Sequence, residues 1–447
     1  MSDTEELRPR RSLSNLSGPI EARGDQAFRF PLVAAMQAQV DAESGEGDLP
    51  GRDSLTHGFH AYPAKMHPAL ARVLLEQFLL GPTSEVLDPF CGSGTVAIEA
   101  MVSGWRCLSS DLDPLALRLA RVKTERRSVR QRERFLELLE IVGDASTQRV
   151  RDRAPVRATI SAEERSWYEV HVLKEMAGLL EEIRKVSDKR DRRALEMVFS
   201  SLVVKFSRQR SETAERPMDK RIRKGLVSEF FVRKGSELVE RWTALSEVLP
   251  SKSNEPRFVL SDARRLPETL SGDYRCDLIL TSPPYGGTYD YAQHHTRRHA
   301  WLGLNAKHLR QGEIGARREL SGGRGAENQG RADNHGAGNR GAGNRGAGNR
   351  GAGAGNQGTG PGNRSVWDDQ LRSTLIAMRA LLRKEAVVVL LIGDAEIGGQ
   401  RVPADRQLER LAPEVELEFL AVATQPREDW RGGEPRNEHL VALRRVD

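Results

Sequence analysis

The sequence predicts an α/β fold: a seven-stranded sheet interrupted by a helical insert and by a loop of very low complexity. Three observations lead there. From Ser84 onward, short apolar runs alternate with helical stretches. Residues 125–256 carry only a helical period, as at Val172, Leu173, Met176, Leu179, Leu180 and Ile183, which share one helix face. Residues 312–364 are rich in Gly, Asn and Arg, and Gly-Ala-Gly-Asn-Arg repeats three times in tandem between Gly336 and Arg350. That tract offers almost no apolar side chain to offset chain entropy, so it is expected to be a disordered loop.

Taken in order, residues 1–26 are polar, rich in Ser, Arg and Glu, and show no sustained period, which predicts a disordered lead-in. Residues 27–124 hold the first half of the sheet. There the strand Glu85-Val-Leu is followed by a helix from Thr95, the strand Cys107-Leu-Ser-Ser, and a helix opening at Pro114, whose missing N–H does no harm in a first turn. Residues 125–256 form the helical insert. Strand signals resume within 257–311 at Phe258-Val-Leu and Leu278-Ile-Leu. They finish within 365–447 at Ala386–Ile392, Leu417–Ala423 and His439–Leu443.

Composition narrows the class. Hydrophobic residues make up 38% and charged residues 30%, with a formal net charge of +6, a balance that suits a polyanionic partner. No run approaches the length of about 18 apolar residues needed to span a bilayer, and Met1–Arg11 lacks the apolar core of a signal peptide. A cytoplasmic protein without membrane association is expected. Cys91, Cys107 and Cys276 are too few for a disulfide framework and lack the paired spacing of a zinc site, so reduced thiols and no structural metal are predicted.

Three segments carry chemistry. Val86-Leu-Asp-Pro-Phe-Cys-Gly-Ser-Gly-Thr95 is a buried strand that ends in an acid and turns through glycines into a helix. Glycines at 92 and 94 remove the Cβ atoms that would block a ligand at the carboxyl end of the strand, where open α/β sheets bind ligands. The dinucleotide fingerprint is not met, because Ala97 stands where its third glycine would be. One βα unit later, Asp111 ends the next strand, where a carboxylate can accept both hydroxyls of a ribose, while nearby Asp113 is placed to cap the helix at Pro114. Finally, Asp277-Leu-Ile-Leu-Thr-Ser-Pro-Pro-Tyr285 runs an apolar strand into a rigid tetrapeptide. There the Ser282 hydroxyl and the Pro283 carbonyl can accept hydrogen bonds from a flat amino group, and the Tyr285 ring can stack on a base.

Asp-Pro-Phe-Cys-Gly-Ser-Gly-Thr followed by Thr-Ser-Pro-Pro-Tyr resembles the amino-group DNA methyltransferases, which make N4-methylcytosine or N6-methyladenine. The resemblance extends to His60-Ala-Tyr-Pro-Ala-Lys-Met-His-Pro68, like the segment that covers the methionine end of the cofactor, and to Leu260-Ser-Asp-Ala263, like the stretch whose acid lies near the adenine. It implies a Rossmann-like methyltransferase sheet with S-adenosyl-L-methionine as cofactor. Asp88, Gly92 and Gly94 would hold the methionine part, Asp111 the ribose and Asp262 the adenine region, with Lys65, Phe90 and Thr95 completing the cofactor set. Ser282, Pro283, Pro284 and Tyr285 would hold the target base. DNA is the implied partner, with a cognate restriction nuclease in a restriction–modification role.

The cofactor loop precedes the catalytic tetrapeptide here, whereas many N4-cytosine enzymes have the reverse order. A Ser at the first catalytic position points to N4 of cytosine, with N6 of adenine as the alternative. An RNA amino-group methyltransferase and a catalytically silent nucleic-acid-binding scaffold stay open as further readings, and a small-molecule methyltransferase ranks last. Carbon-5 methylation is excluded, because it needs a cysteine beside the proline and Pro284 and Tyr285 stand there.

Reaching a base inside a duplex means flipping it out, which calls for a grip on the phosphates. Between Lys205 and Lys224 eight basic residues face three acidic ones, and Arg208, Arg210, Arg221 and Lys224 are assigned to nucleic-acid binding. His294, His295 and His299 follow the tetrapeptide without a fourth zinc ligand nearby, so they are read as lining the active-site helix.

Overall fold

The computed structural model describes residues 18–46, 48–79, 81, 83–210, 217–320, 362–428 and 435–446. Ten strands occur among them: β1 (Glu21–Gly24), β2 (Glu85–Asp88), β3 (Arg106–Asp111), β4 (Arg257–Leu260), β5 (Cys276–Thr281), β6 (Leu382–Gly393), β7 (Ala395–Ile397), β8 (Gln400–Val402), β9 (Leu417–Arg427) and β10 (Arg436–Arg445). Eight make one sheet in the order β1-β9-β10-β6-β5-β2-β3-β4, and β7 and β8 form a separate ribbon. From β6 to β4 the pairing is parallel. β10 runs antiparallel between β6 and β9, and β1 is antiparallel to β9. All seven strands expected from sequence are present; β1 is an eighth. It lies in the stretch expected to be a disordered lead-in, and that expectation fails for residues 18–26: Arg23 is clamped by Asp405 at 3.0 Å and Glu409 at 2.8 Å. Residues 1–17 lie outside the described residues.

The period of two along each strand sends alternate residues to opposite faces. Leu87, Leu108, Ile279, Val388 and Leu390 pack on one side with Leu371, Leu375 and Met378 of the helix Gly362–Leu381 and with Leu408 and Leu411 of the helix Ala404–Glu414. Val86, Cys107, Leu278, Leu280 and Val389 pack on the other with Leu32, Leu70, Leu74 and Ala100 from three further helices. Both faces are covered, as a mostly parallel sheet requires.

The insert is helical as expected, with long helices at Val129–Arg151, Val170–Lys185, Lys189–Phe206 and Leu226–Val248. It does not have a core of its own. Phe135, Phe199, Phe231 and Trp242 join one cluster with Phe59, Leu115, Leu119 and Trp301 from the sheet-bearing part. Arg127 sits at its base, buried, with ion pairs to Glu125 at 2.7 Å and Asp191 at 2.6 Å, and its guanidinium lies 4.2 Å from the Trp242 ring. The low-complexity reading also began too early. Residues 312–320 are folded, with Ile314, Ala316 and Leu320 buried; residues 321–361 lie outside the described residues.

Removing one partner of a buried ion pair leaves the others uncompensated in a medium that disfavours bare charge. Arg127→Ala is therefore expected to lower stability by about 3 kcal/mol, read as a shift in the denaturant midpoint without loss of a single cooperative transition.

Candidate active site

β2 leads on one side to β3 and then β4, and the chain returns on its other side through β5 and β6. The topological switch point thus lies between β2 and β5, and ligands bind outside the carboxyl ends of such strands. A cleft of about 660 Å³, counted with the open space at its mouth, lies there. Phe90, Gly92, Asp111, Asp262, Ser282 and Pro284 are among its lining residues. A smaller recess of about 320 Å³ adjoins it, lined by Lys65, Asp88, Thr95 and again Phe90, Gly92 and Ser282. Nine sequence-predicted site residues therefore converge. Gly94, Pro283 and Tyr285 line neither space.

The glycine loop is built by local hydrogen bonds. Cys91 N–H donates to Ser110 O at 2.9 Å and Gly94 N–H to Cys91 O at 2.8 Å. Both glycines take positive φ, +48° at Gly92 and +88° at Gly94, but for different ends. A Cβ on Gly92 would stand 3.0 Å from the Tyr62 ring, the lid of the recess, whereas one on Gly94 would stand 2.8 Å from Ala120 Cβ. Gly94 thus permits the helices Thr95–Val102 and Pro114–Lys123 to pack, and its part in the site is to shape the loop.

Two acids, Asp88 buried and Asp111 half-buried, flank this loop. Asp88 accepts from Thr281 Oγ1 at 2.6 Å and from Phe90 N–H at 3.3 Å; burial pushes its carboxyl up to about 7. Asp111 accepts from Gly92 N–H and Asp113 N–H, each at 2.8 Å, and burial together with the charge of Asp113 raises it also to about 7. Asp113 caps the helix Pro114–Lys123 through Leu115 N–H, as the sequence suggested.

Asp113 has a further part that the sequence did not disclose. Its carboxylate pairs with His295 Nδ1 at 2.6 Å and His299 Nε2 at 2.8 Å. Burial opposes its ionisation, yet those two imidazoles bring its pKa below the ordinary carboxylate range. All three side chains are buried and their ligand atoms lie within 4.8 Å of one another, so the trio has the composition of a metal site. The separations are those of charge-assisted hydrogen bonds, and among the described residues no fourth ligand joins the group.

The segment before the glycine loop is anchored over it. His57 Nε2 meets Glu99 Oε1 at 2.7 Å, Arg72 donates to the other oxygen of Glu99 at 2.8 Å, and Lys65 Nζ donates to His57 O at 3.0 Å. At the opposite end, Asp262 is held by Arg264, whose Nη2 also donates to Gly312 O at 2.9 Å. Glu313, from the stretch mistaken for low complexity, lines the cleft and accepts from the backbone N–H of Tyr291. Tyr62, Glu313 and Thr281 were not singled out from sequence. The apolar spacing Leu309, Ile314, Leu320 was the available signal that the chain past residue 311 still faces a core.

S-adenosylmethionine fits these donors and acceptors. Asp111 offers acceptor oxygens toward the large cleft, where a ribose needs them, and Asp88 and Lys65 border the recess, which suits a charged amino-acid end.

The four basic residues assigned to phosphate binding lie away from this cleft's lining, along residues 207–225, the connection between the helices Lys189–Phe206 and Leu226–Val248. Arg208 is paired with Glu169 at 2.8 Å, and the side chains of Arg210, Arg221 and Lys224 are exposed. Arg216 lies outside the described residues. Lys220 is structural, donating to Val204 O, Lys205 O and Gln209 O at the end of a helix.

A model of the UPF0020 family, described as RMKL-like, methyltransferase domain, matches residues 59–168. The chain is 38% identical over 72 residues to the type II methyltransferase M.MvaI of Kocuria varians, covering 16% of each chain. It is 24% identical over 279 residues to the type II methyltransferase M.BsoBI of Geobacillus stearothermophilus, covering 57% of this chain and 54% of that one. It is also 40% identical over 52 residues to a tRNA (guanine(10)-N2)-dimethyltransferase of Methanothermobacter thermautotrophicus, covering 12% and 16%. The chain thus spans about half the length, or less, of these relatives.

Because Asp88 and Asp111 titrate near 7, well above an ordinary carboxyl, their protonated forms favour the fold at low pH, and that contribution is lost as pH rises through about 7. The ionised form of Asp111 is the one suited to accept both hydroxyls of a ribose. Calorimetric titration is expected to show S-adenosylmethionine binding about tenfold tighter near pH 8 than near pH 6, and Asp111→Asn to weaken binding and flatten that dependence.

Proposed function

We propose that the chain is an S-adenosylmethionine-dependent methyltransferase that methylates an exocyclic amino group of a nucleic-acid base, N4 of cytosine in DNA, a reading supported by the match of residues 59–168 to a methyltransferase-domain family. The observation that carries this reading is Ser282, which lines both the large cleft and the recess, so that its hydroxyl stands at their junction, where a cofactor with its ribose in one and its amino-acid end in the other would present its methyl group.

The cofactor supplies an electrophilic methyl group. An exocyclic amine is a poor nucleophile because its lone pair is delocalised into the ring, so the protein's contribution is chiefly orientation. Ser282 Oγ and the Pro283 carbonyl accept the amine's N–H bonds and draw the nitrogen toward tetrahedral geometry, without any covalent enzyme intermediate. Two prolines fix this backbone. The loop is further held by Gly287 N–H to Gly315 O at 2.9 Å and Glu396 N–H to Gly286 O at 2.8 Å, which keeps the acceptors in place before substrate arrives.

The basic stretch grips the phosphates of an opened strand through Arg210, Arg221 and Lys224, with Arg208 freed from Glu169 on binding. A second reading, RNA as the substrate, has its support in the match to a tRNA guanine-N2 enzyme. A role beside a cognate restriction nuclease accords with the type II relatives.

The test is to supply labelled S-adenosylmethionine with duplex DNA and, separately, bulk RNA, digest to nucleosides, and identify the labelled one. Label in N4-methylcytosine is expected, and Ser282→Ala is expected to reduce it by about two orders of magnitude while cofactor affinity holds. Label in N6-methyladenine corrects the base, label in RNA alone corrects the substrate, and no label in either defeats the proposal.

Alanines at Arg208, Arg210, Arg221 and Lys224 together are expected to weaken DNA binding uniformly across sequences. They should also lower the slope of log K against log salt by about three, measured by fluorescence anisotropy.

A further inference from the structure

The loop that follows the catalytic tetrapeptide is fastened to the segment past residue 311. Gly287 N–H donates to Gly315 O at 2.9 Å, Arg317 N–H donates to Tyr289 O at 3.2 Å, and Arg318 reaches Asp290 through its backbone N–H and its guanidinium, each at 3.2 Å. The buried Trp367 indole lies against both segments, at Gly286 and at Gly315. Glu313 closes this seam. One of its carboxylate oxygens accepts from Tyr291 N–H, and the other accepts from Ala292 N–H at 3.4 Å and from Arg318 Nη1 at 2.8 Å. The neighbouring Gly312 O accepts from Arg264, so the same segment is tied on its other side to Asp262.

Tyr291 and Ala292 open the short helical turn Tyr291–His294, so the turn itself supplies no acceptor for their N–H groups. Glu313 supplies one. Its side chain is 2% exposed, and both of its oxygens are engaged by donors from the protein. What it holds in place is Tyr291, which lines the cleft together with Ser282 and Pro284 and brings to that wall an aromatic ring able to pack on the face of a flat base. We propose that Glu313 is a positioning residue for the target base: by taking up the backbone N–H groups of Tyr291 and Ala292, it sets the Tyr291 ring as one wall of the base's site. The inference rests on the reading that a nucleic-acid base is the substrate.

Glu313→Ala removes the acceptor, whereas Glu313→Gln keeps a carbonyl oxygen for Tyr291 N–H and gives up only the charge. The measurements are steady-state kinetics on the nucleic acid that the wild type labels and, alongside, the affinity for S-adenosylhomocysteine by calorimetry. Glu313→Ala is expected to lower kcat/KM for the nucleic acid about ten- to a hundredfold while S-adenosylhomocysteine affinity stays within about twofold. Glu313→Gln is expected to recover most of that loss. Tyr291→Ala is expected to fall as far as Glu313→Ala, and the double variant no further, because both residues act through the placing of one ring.

A carboxylate that served by its charge would leave Glu313→Gln as poor as Glu313→Ala, and one that merely shaped the cleft would lower S-adenosylhomocysteine affinity in step with turnover. Either result overturns the inference, as do additive losses in the double variant or wild-type kcat/KM in Glu313→Ala. If Glu313→Ala does not fold, judged by its melting curve, Glu313→Asp takes its place. That variant keeps the charge toward Arg318 but is one methylene too short for Tyr291 N–H, so the same loss is expected and wild-type kcat/KM overturns the inference. If the wild-type protein labels neither DNA nor RNA, the nucleic-acid reading itself has failed and the role of Glu313 falls with it.

Discussion

One hydroxyl joins the two halves of the site. Thr281 Oγ1 donates to Asp88 at 2.6 Å and accepts from Phe90 N–H at 3.2 Å, across the gap where β2 and β5 diverge. A parallel sheet must part its loops at this place, because the connections leave in opposite directions. The cleft exists for that reason, and it would have no fixed width without a tie. Thr281 is that tie: its hydroxyl fixes the first residue of the glycine loop relative to the last residue of the strand that presents Ser282. The spacing between the glycine loop and Ser282 is thus set by a buried side chain that lines neither the cleft nor the recess.

Three aspartates within one cleft show how placement decides charge. Asp88 is buried and Asp111 half-buried, each among a few neutral donors, and both carboxyls are pushed up to about 7. Asp113, as buried as Asp88, meets two imidazoles and is pulled the other way. The outcome is a permanent anion, which locks the helix after the tetrapeptide to the helix after Asp111, beside two acids whose charge responds to what binds. The first kind suits scaffolding and the second suits recognition.

The sheet was legible because its signals are local. Seven short apolar runs, the glycine loop, and acids at strand ends all act over a few residues, and each expected strand is found with ends shifted by a few positions. What escaped was everything that depends on distant pairing. β1 is polar, short and held by Asp405 and Glu409, so nothing in Glu21–Gly24 alone distinguishes it from a tail. Residues 312–320 were hidden by the glycine-rich composition that follows them, although three apolar side chains there reach the core. The same holds within the site. Asp88, Asp111 and Ser282 announce themselves through motif spacing, whereas Glu313 enters only because the chain brings it back from elsewhere. The insert could be called helical from its period, but not attached: its shared core with Phe59, Leu115 and Trp301 appears only in three dimensions.

The short strand β1 has a consequence for solubility. β9 is 11 residues long and its row of backbone N–H and C=O groups would face outward were it the last strand of the sheet. An exposed strand of that length is a template on which another chain can pair, as in aggregation. β1 occupies four residues of that row and brings Glu21 and Arg23, charges that discourage any further strand from docking outside it. The outermost strand at the other end, β4, is also only four residues long and begins with Arg257. A protein shortened to begin at Phe28 would keep every residue of the cleft and lose this guard, so its failing would be self-association rather than lost chemistry.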